Sequence, residues 1–256
     1  MTNFWKTAIS RVRPGEIIVR GYPIEDLTRH CSFGDVVFML LTGNLPEKNE
    51  GKLVEAILVA SCDHSLVAPS TDAVRFVASS GVPIQTAVAA GISAVGDIHG
   101  GAIEPCAKIL RTAVEQAKNA EQTLTDLKTS GKRLPGFGHP LHRQKDPRVA
   151  VLLDLSKKWN LNGPHTVLAK ELEQATEKVF GRRFAMNVDG IIAALMCDME
   201  IDPALGKAFF IVGRSIGYIA HTHEQMTKER PFKAPSYEEI EYTGPDKRDL
   251  PNFPDV

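Results

Sequence analysis

Apolar residues recur at helical spacing along most of the chain. Ile103, Cys106, Leu110, Ala113 and Ala117 share one face of a 3.6-residue helix, while Lys108, Arg111, Glu115 and Lys118 spread over the other. Leu168, Leu172, Ala175 and Val179 repeat the pattern. Four more stretches are apolar nearly all round: VVFMLL at 36–41, TAVAAGISAVG at 86–96, VDGIIAALMCDM at 188–199 and AFFIVGRSIGYIA at 208–220. These predict buried helices. Alternation of apolar and polar residues is almost absent. GEIIVRGYPI near the start suits a short strand or hairpin, but one strand makes no sheet. The expected fold class is all-α. From Pro231 onward five prolines and many charges predict an extended tail, laid on the surface or on a partner subunit.

Composition changes this picture little. The 256 residues are 43% hydrophobic, enough for one large or two modest cores at about 100–200 residues per domain. Thirty basic residues nearly cancel thirty-one acidic ones, so a net charge of −1 gives no global attraction to nucleic acid or an anionic membrane. Cys31, Cys62, Cys106 and Cys197 lack CxxC spacing and read as free thiols in a reducing compartment. No signal peptide is visible, and no apolar run approaches the roughly 18 residues that span a bilayer. The expected location is the cytoplasm.

Three loops, near 97–102, 131–148 and 181–187, interrupt the helices and carry polar residues that the apolar pattern does not require. In PGFGHPLHRQKDPR, Gly136, Gly138, Pro140 and Pro147 break regular structure, setting His139 on a sharp bend ahead of Arg143, Lys145 and Arg148. His99 lies in GDIHGGA at the start of a helix, where unpaired N–H groups favour a neutral imidazole. Asp189, in NVDG, enters an apolar helix, and desolvation there raises a carboxyl pKa toward the range of a general acid or base. Arg148, Arg214 and Arg230 add guanidinium forks suited to a small molecule with several carboxylates.

Each residue also has a plainer reading. A glycine-flanked histidine can be an ordinary loop residue, and Asp189 an N-cap. Arg214 can form a structural salt bridge, and His64 can end the helix over 52–62. His142, His165, His221 and His223 have no comparable framing, and no HxxxH or HExxH pair points to a metal.

The order of the pieces decides between these readings. DH at 63–64, HGGA at 99–102, PGFGH with DPR at 135–148, NVDG at 187–190, GRSIGYIAH at 213–221 and RP at 230–231 resemble the citrate synthase superfamily. RGYPIEDL at 20–27 and FMLLTGNLP at 38–46 match it too, so the resemblance covers nearly the whole chain. It implies a large helical domain, 1–105 with 206–256 and shortened at its N-terminus, and a small helical domain, 106–205. It implies that His99 stabilises the enol of acetyl-CoA, that His139 hydrogen-bonds the oxaloacetate carbonyl or citryl hydroxyl oxygen, and that Asp189 exchanges the methyl proton. His64, Arg148 and Arg214 would grip carboxylates, with Arg230 reaching in from a second subunit. The backbone of Pro135, Gly136, Phe137 and Gly138 would meet the coenzyme A adenine, and Arg143 and Lys145 its phosphates.

The chain is shorter than citrate synthase and has a shortened link between Arg214 and Arg230. In both it resembles stand-alone citryl-CoA lyase and the C-terminal module of ATP-citrate lyase. The expected reaction is retro-aldol cleavage of citryl-CoA to acetyl-CoA and oxaloacetate by a homodimer or larger homo-oligomer, without a metal, a nucleic acid or a membrane. In that direction His139 or water takes the hydroxyl proton. The alternatives are citrate synthase, a lyase of a related acyl-CoA such as citramalyl-CoA, and a non-catalytic CoA-binding or scaffold subunit.

Overall fold

The computed structural model describes residues 4–139, 141, 142 and 144–251. Eleven α-helices are found among them, in the all-α class expected: α1 Ile24–His30, α2 Phe33–Thr42, α3 Glu50–Ser61, α4 Pro69–Ser79, α5 Ile84–Ser93, α6 Ile103–Glu115, α7 Ala120–Thr129, α8 Pro147–Lys158, α9 Pro164–Phe180, α10 Val188–Asp198 and α11 Gly206–Lys228. The stretch expected to form a short strand or hairpin supplies β2 (Glu16–Val19) and β3 (Tyr22–Pro23), and β1 (Ser10–Arg13), which was not expected, extends them to a small antiparallel sheet in the order β1-β2-β3. Strand β1 escapes the apolar pattern because all four of its residues are exposed. The Pro14–Gly15 turn, with Gly15 at φ +75°, returns the chain into β2.

Helix α10 is the axis of the core, with Val188 and every residue from Gly190 to Cys197 buried. Helices α3, α6, α8, α9 and α11 pack around it. The other segments expected to be buried all round are not. In α5, Ile84, Gln85, Thr86, Ala89 and Ser93 are exposed, and in α11 an outer stripe shows Val212, Ile216 and Ile219 at 41%, 60% and 41%. Helix α2 likewise leaves Phe33 exposed and most of its apolar run half-buried. A helix apolar on every side needs cover on every side, and this chain alone supplies it only for α10. The α6 pattern holds through Ala113, but the helix ends at Glu115 and Ala117 is exposed at φ +52°. From Pro231 to Pro251 the tail is exposed and, apart from one 3-10 turn, irregular, and it is tied to the end of α4 by Phe232 N–H to Ser79 O at 2.8 Å and Lys233 N–H to Ser79 Oγ at 3.0 Å.

One buried carboxylate joins two core helices. Asp198, at the end of α10, accepts hydrogen bonds from the N–H groups of Gly163, His165 and Thr166 at 2.8, 3.0 and 3.0 Å, and from the Thr166 hydroxyl. It therefore satisfies the open N-terminus of α9 from outside the helix. Burial pushes the Asp198 carboxyl up, but the bonds from His165 and Thr166 outweigh that and hold it below its usual range. A lowered folded-state pKa stabilises above the unfolded value and is lost as pH falls through the folded one. Asp198→Ala is expected to cost about 3–5 kcal/mol in urea unfolding at pH 7, with the gap to wild type shrinking below about pH 4.

Candidate active site

The loops after α3, before α6 and before α8 converge with the N-terminus of α10 and one face of α11. The closest approach is made by two glycines. Gly136, at φ +79°, lies so near α10 that a Cβ on it would stand 2.6 Å from Gly190 Cα, and one on Gly190 would stand 2.3 Å from Gly136 O. Asn187 N–H donates to Gly136 O at 3.0 Å, its Nδ2 donates to Gly138 O at 2.7 Å, and Gly138 N–H donates to Ala185 O at 2.7 Å. Sequence thus ties the loop that carries His139 to the start of the helix that carries Asp189 by removing two side chains and joining two backbones.

Asn187, not Asp189, caps α10: its Oδ1 accepts from the N–H groups of Asp189 and Gly190 at 3.0 and 3.2 Å. The Asp189 carboxylate is left free for other work, and burial pushes its pKa up to about 6, against the downward pull of Arg148 and Arg214. Asp146 caps α8, is 1% exposed, and is gripped by Arg148 Nε and Nη2 at 2.9 and 2.7 Å. It also accepts Val188 N–H at 3.1 Å, fastening the start of α8 to the start of α10. Burial raises the Asp146 carboxyl, but Arg148 outweighs it and keeps it ionised.

Arg214 is the clearest anomaly. The side chain is 2% exposed, its Nε donates to Ser61 O at 2.7 Å, its guanidinium lies 4.6 Å over the Phe210 ring, and Nη1 is buried with no hydrogen-bond partner among the described residues. No carboxylate stands within salt-bridge distance of it among those residues. The structural salt bridge that would explain a buried arginine is therefore missing, and a buried cation without a counter-ion is costly.

Imidazoles surround this charge. His64 and His139 rings meet edge to face at 5.3 Å, and His142 stacks on His139 at 4.7 Å and meets His64 at 5.6 Å. Burial first, then Arg148, His139, Arg214 and His142, push the His64 pKa down; burial, His142 and Arg148 do the same for His139. His64 Nε2 is buried and unpartnered among the described residues. His139 Nδ1 accepts the N–H groups of Leu141 and His142 at 3.1 and 3.0 Å, so neutral His139 carries its proton on Nε2 and can only donate there. His99 Nε2 shares a hydrogen bond with Ser70 Oγ at 2.7 Å, and burial followed by Arg214 lowers its pKa. A serine that donates to Nε2 puts the His99 proton on Nδ1.

His142 thus joins the cluster although nothing around it in the sequence distinguished it. Its nitrogen and those of His64 and His139 lie within 4.8 Å of one another, close enough to suggest a metal triad. Two features oppose a cation there: His139 Nδ1 is occupied, and two guanidinium groups face the same space. The cluster suits an anion better. Ser70, Asp146 and Asn187 were missed as well; Asp146 before Pro147 carries a readable cap signal, whereas Ser70 has none.

The remaining expectations divide. Phe137 puts its ring into the core, and the Gly136 and Gly138 backbone groups are largely engaged by residues 185–187, so less of Pro135–Gly138 is open to an adenine than expected. Lys145 is exposed, while Arg143, like Pro140, lies outside the described residues. Arg230 is exposed and is not brought to the cluster; its carbonyl accepts from Gln225 Nε2 at 3.1 Å. His165 serves Asp198, His223 is exposed, and His221 bonds Asp63.

The family model for the citrate synthase C-terminal domain matches residues 1–53 and 47–235. The chain belongs to the citrate synthase family. Within it, the chain is similar to the solved citryl-CoA lyase of Hydrogenobacter thermophilus, with 37% identity and a TM-score of 0.92 over 97% of this chain and 98% of that one. It is 30% identical to citrate synthase 2 of Bacillus subtilis, over 94% of this chain and 62% of that protein. It is 26% identical to the probable ATP-citrate synthase of Dictyostelium discoideum, over 90% of this chain and 40% of that protein. The chain therefore spans less than two thirds of these curated relatives. Among the described residues of this family member, no helix is long and apolar enough to cross a membrane.

Proposed function

We propose that the protein is a citryl-CoA lyase that cleaves citryl-CoA to acetyl-CoA and oxaloacetate. The observation that carries the reading is Arg214, a buried guanidinium without a carboxylate partner among the described residues, set among Arg148, His64 and His139 as a seat for a dicarboxylate. Citrate synthase, acting in the condensation direction, is the second reading, favoured by the same residues. The lyase is preferred because the Hydrogenobacter lyase is 37% identical and superposes with a TM-score of 0.92, whereas the solved citrate synthase of Thermotoga maritima reaches 16% and 0.61 over a similar share of both chains.

Arg148, Arg214 and His64 hold the carboxylates of the citryl group. His139 Nε2–H donates to the hydroxyl oxygen and stabilises the charge that grows there. Since its Nδ1 is occupied by two N–H groups, the hydroxyl proton goes to water rather than to His139. The carbon–carbon bond then breaks, its electron pair passes to the thioester, and His99 Nδ1–H stabilises the resulting enolate oxygen. Protonated Asp189 delivers its proton to carbon and recovers one from solvent, giving acetyl-CoA beside oxaloacetate. A carboxyl titrating at about 6 suits this exchange. Coenzyme A enters as part of substrate and product, and its phosphates are assigned to Lys145, which is exposed, and to Arg143, on the resemblance alone. The outer stripe of Val212, Ile216, Ile219 and Met226 on α11 supports a homodimer face. In this reading the chain divides into a large part, 1–105 with 206–256, and a small part, 106–205, and the substrate lies between them, with His64, His99 and Arg214 from one and His139, Arg148 and Asp189 from the other.

Purified protein is expected to cleave citryl-CoA with no nucleotide and no added metal, oxaloacetate release being followed with malate dehydrogenase. Absence of cleavage beside robust condensation of acetyl-CoA with oxaloacetate moves the assignment to synthase.

A further inference from the structure

We propose that His221 and Asp63 form a pin that positions His64, an inference resting on the dicarboxylate reading of the site. The pin begins in the contact of α3 with α11. Gly213, Gly217 and His221 are spaced four apart on one face of α11. A Cβ on Gly213 would stand 2.9 Å from Leu58 O, and one on Gly217 only 2.2 Å from Cys62 O, so the end of α3 lies directly on this face. One turn further along, His221 Nε2 meets Asp63 Oδ1 at 3.1 Å. The other oxygen of the same carboxylate, Oδ2, accepts Ser65 N–H at 3.0 Å.

That carboxylate therefore clamps the turn containing His64 from both sides. The turn needs a clamp: His64 sits at φ −148° and ψ 29°, and Ser65 at φ +57°, a left-handed conformation unfavourable for a side-chain-bearing residue. The His64 ring has no hydrogen bond at Nε2 among the described residues, so its aim depends on the turn below it and on its contacts with His139 and His142. Burial raises the Asp63 carboxyl, but the Ser65 N–H and His221 outweigh it, consistent with a carboxylate kept charged between two donors. His221 touches no proposed substrate atom; it is a positioning residue acting through Asp63 on His64.

The test compares His221→Leu, which removes the donor and keeps most of the volume, with His221→Gln, whose amide nitrogen replaces Nε2. Amide hydrogen exchange at Ser65 and calorimetric affinities for oxaloacetate and for coenzyme A are measured on the intact protein. His221→Leu is expected to speed Ser65 exchange and weaken oxaloacetate about tenfold, the scale of one hydrogen bond, with coenzyme A affinity unchanged. His221→Gln is expected to restore most of both. Unchanged Ser65 exchange, equal losses for oxaloacetate and coenzyme A, or a Gln variant no better than Leu overturns the pin. Should His221→Leu fail to fold, Asp63→Ala cuts the same clamp from its more exposed side and must give the same pattern. If wild type binds no oxaloacetate, the dicarboxylate reading fails on its own, and the Ser65 exchange still decides whether the pin exists.

Discussion

Asp189→Asn is expected to lower turnover about 10²- to 10⁴-fold while leaving coenzyme A-ester binding intact, because one general acid–base group contributes on that scale. The amide is nearly isosteric with the carboxyl but carries no exchangeable acid proton. A second consequence separates a catalytic carboxyl from a structural one. The Asp189 carboxyl is raised by burial from 3.8 to about 6. A raised folded-state pKa means that stability is fully present below the unfolded value and is lost as pH rises through the folded one. At pH 7.5 the ionised group destabilises the fold by about 3 kcal/mol at most, so Asp189→Asn should raise Tm there and change it little near pH 4. Cap loss cannot mimic this, since Asn187 supplies the cap. Retained turnover, or a lower Tm at pH 7.5, would overturn the assignment of Asp189 as the proton donor.

The same residue shows where reading the sequence stops. That a carboxylate enters an apolar helix is visible in NVDGIIAALM, and so is its desolvation. That the residue two positions earlier caps the helix depends on a side-chain rotamer, and that Gly136 meets Gly190 depends on a loop and the first turn of a helix some fifty residues apart. The helices are legible because their period is local. Burial of α5 and α11 was overestimated because an apolar surface signals cover without saying which chain provides it. Arg214 was legible as a charge in an apolar run, but its lack of a carboxylate partner among the described residues was not. His142 had no signal at all, its neighbours His64 and His139 being set beside it by tertiary folding alone.

Arg230 raises the question of which chain completes the site. It follows α11 in a segment tied to Ser79 at the far end of α4, whereas Ser70, near the start of α4, holds His99. Nine residues of helix separate these two serines by roughly 14 Å, more than an arginine side chain spans. The exposed apolar stripe on α11 offers a face through which a second copy can present its own tail. In a twofold dimer each site would then take Asp189 from one chain and Arg230 from the other. Arg230→Ala and Asp189→Asn should each be nearly inactive alone, since loss of one charged hydrogen-bond partner costs roughly 1.5–3 kcal/mol and loss of the acid costs more. When the two variants are co-expressed, a mixed dimer carries one site with both lesions and one with neither. Random assortment makes about half the dimers mixed, and half of their sites intact, so activity should recover to about a quarter of wild type. Verified mixed dimers that show only the average of the two parents would place Arg230 within its own chain or outside the reaction, because complementation requires both lesions of a mixed dimer to fall in the same site and leave the other intact.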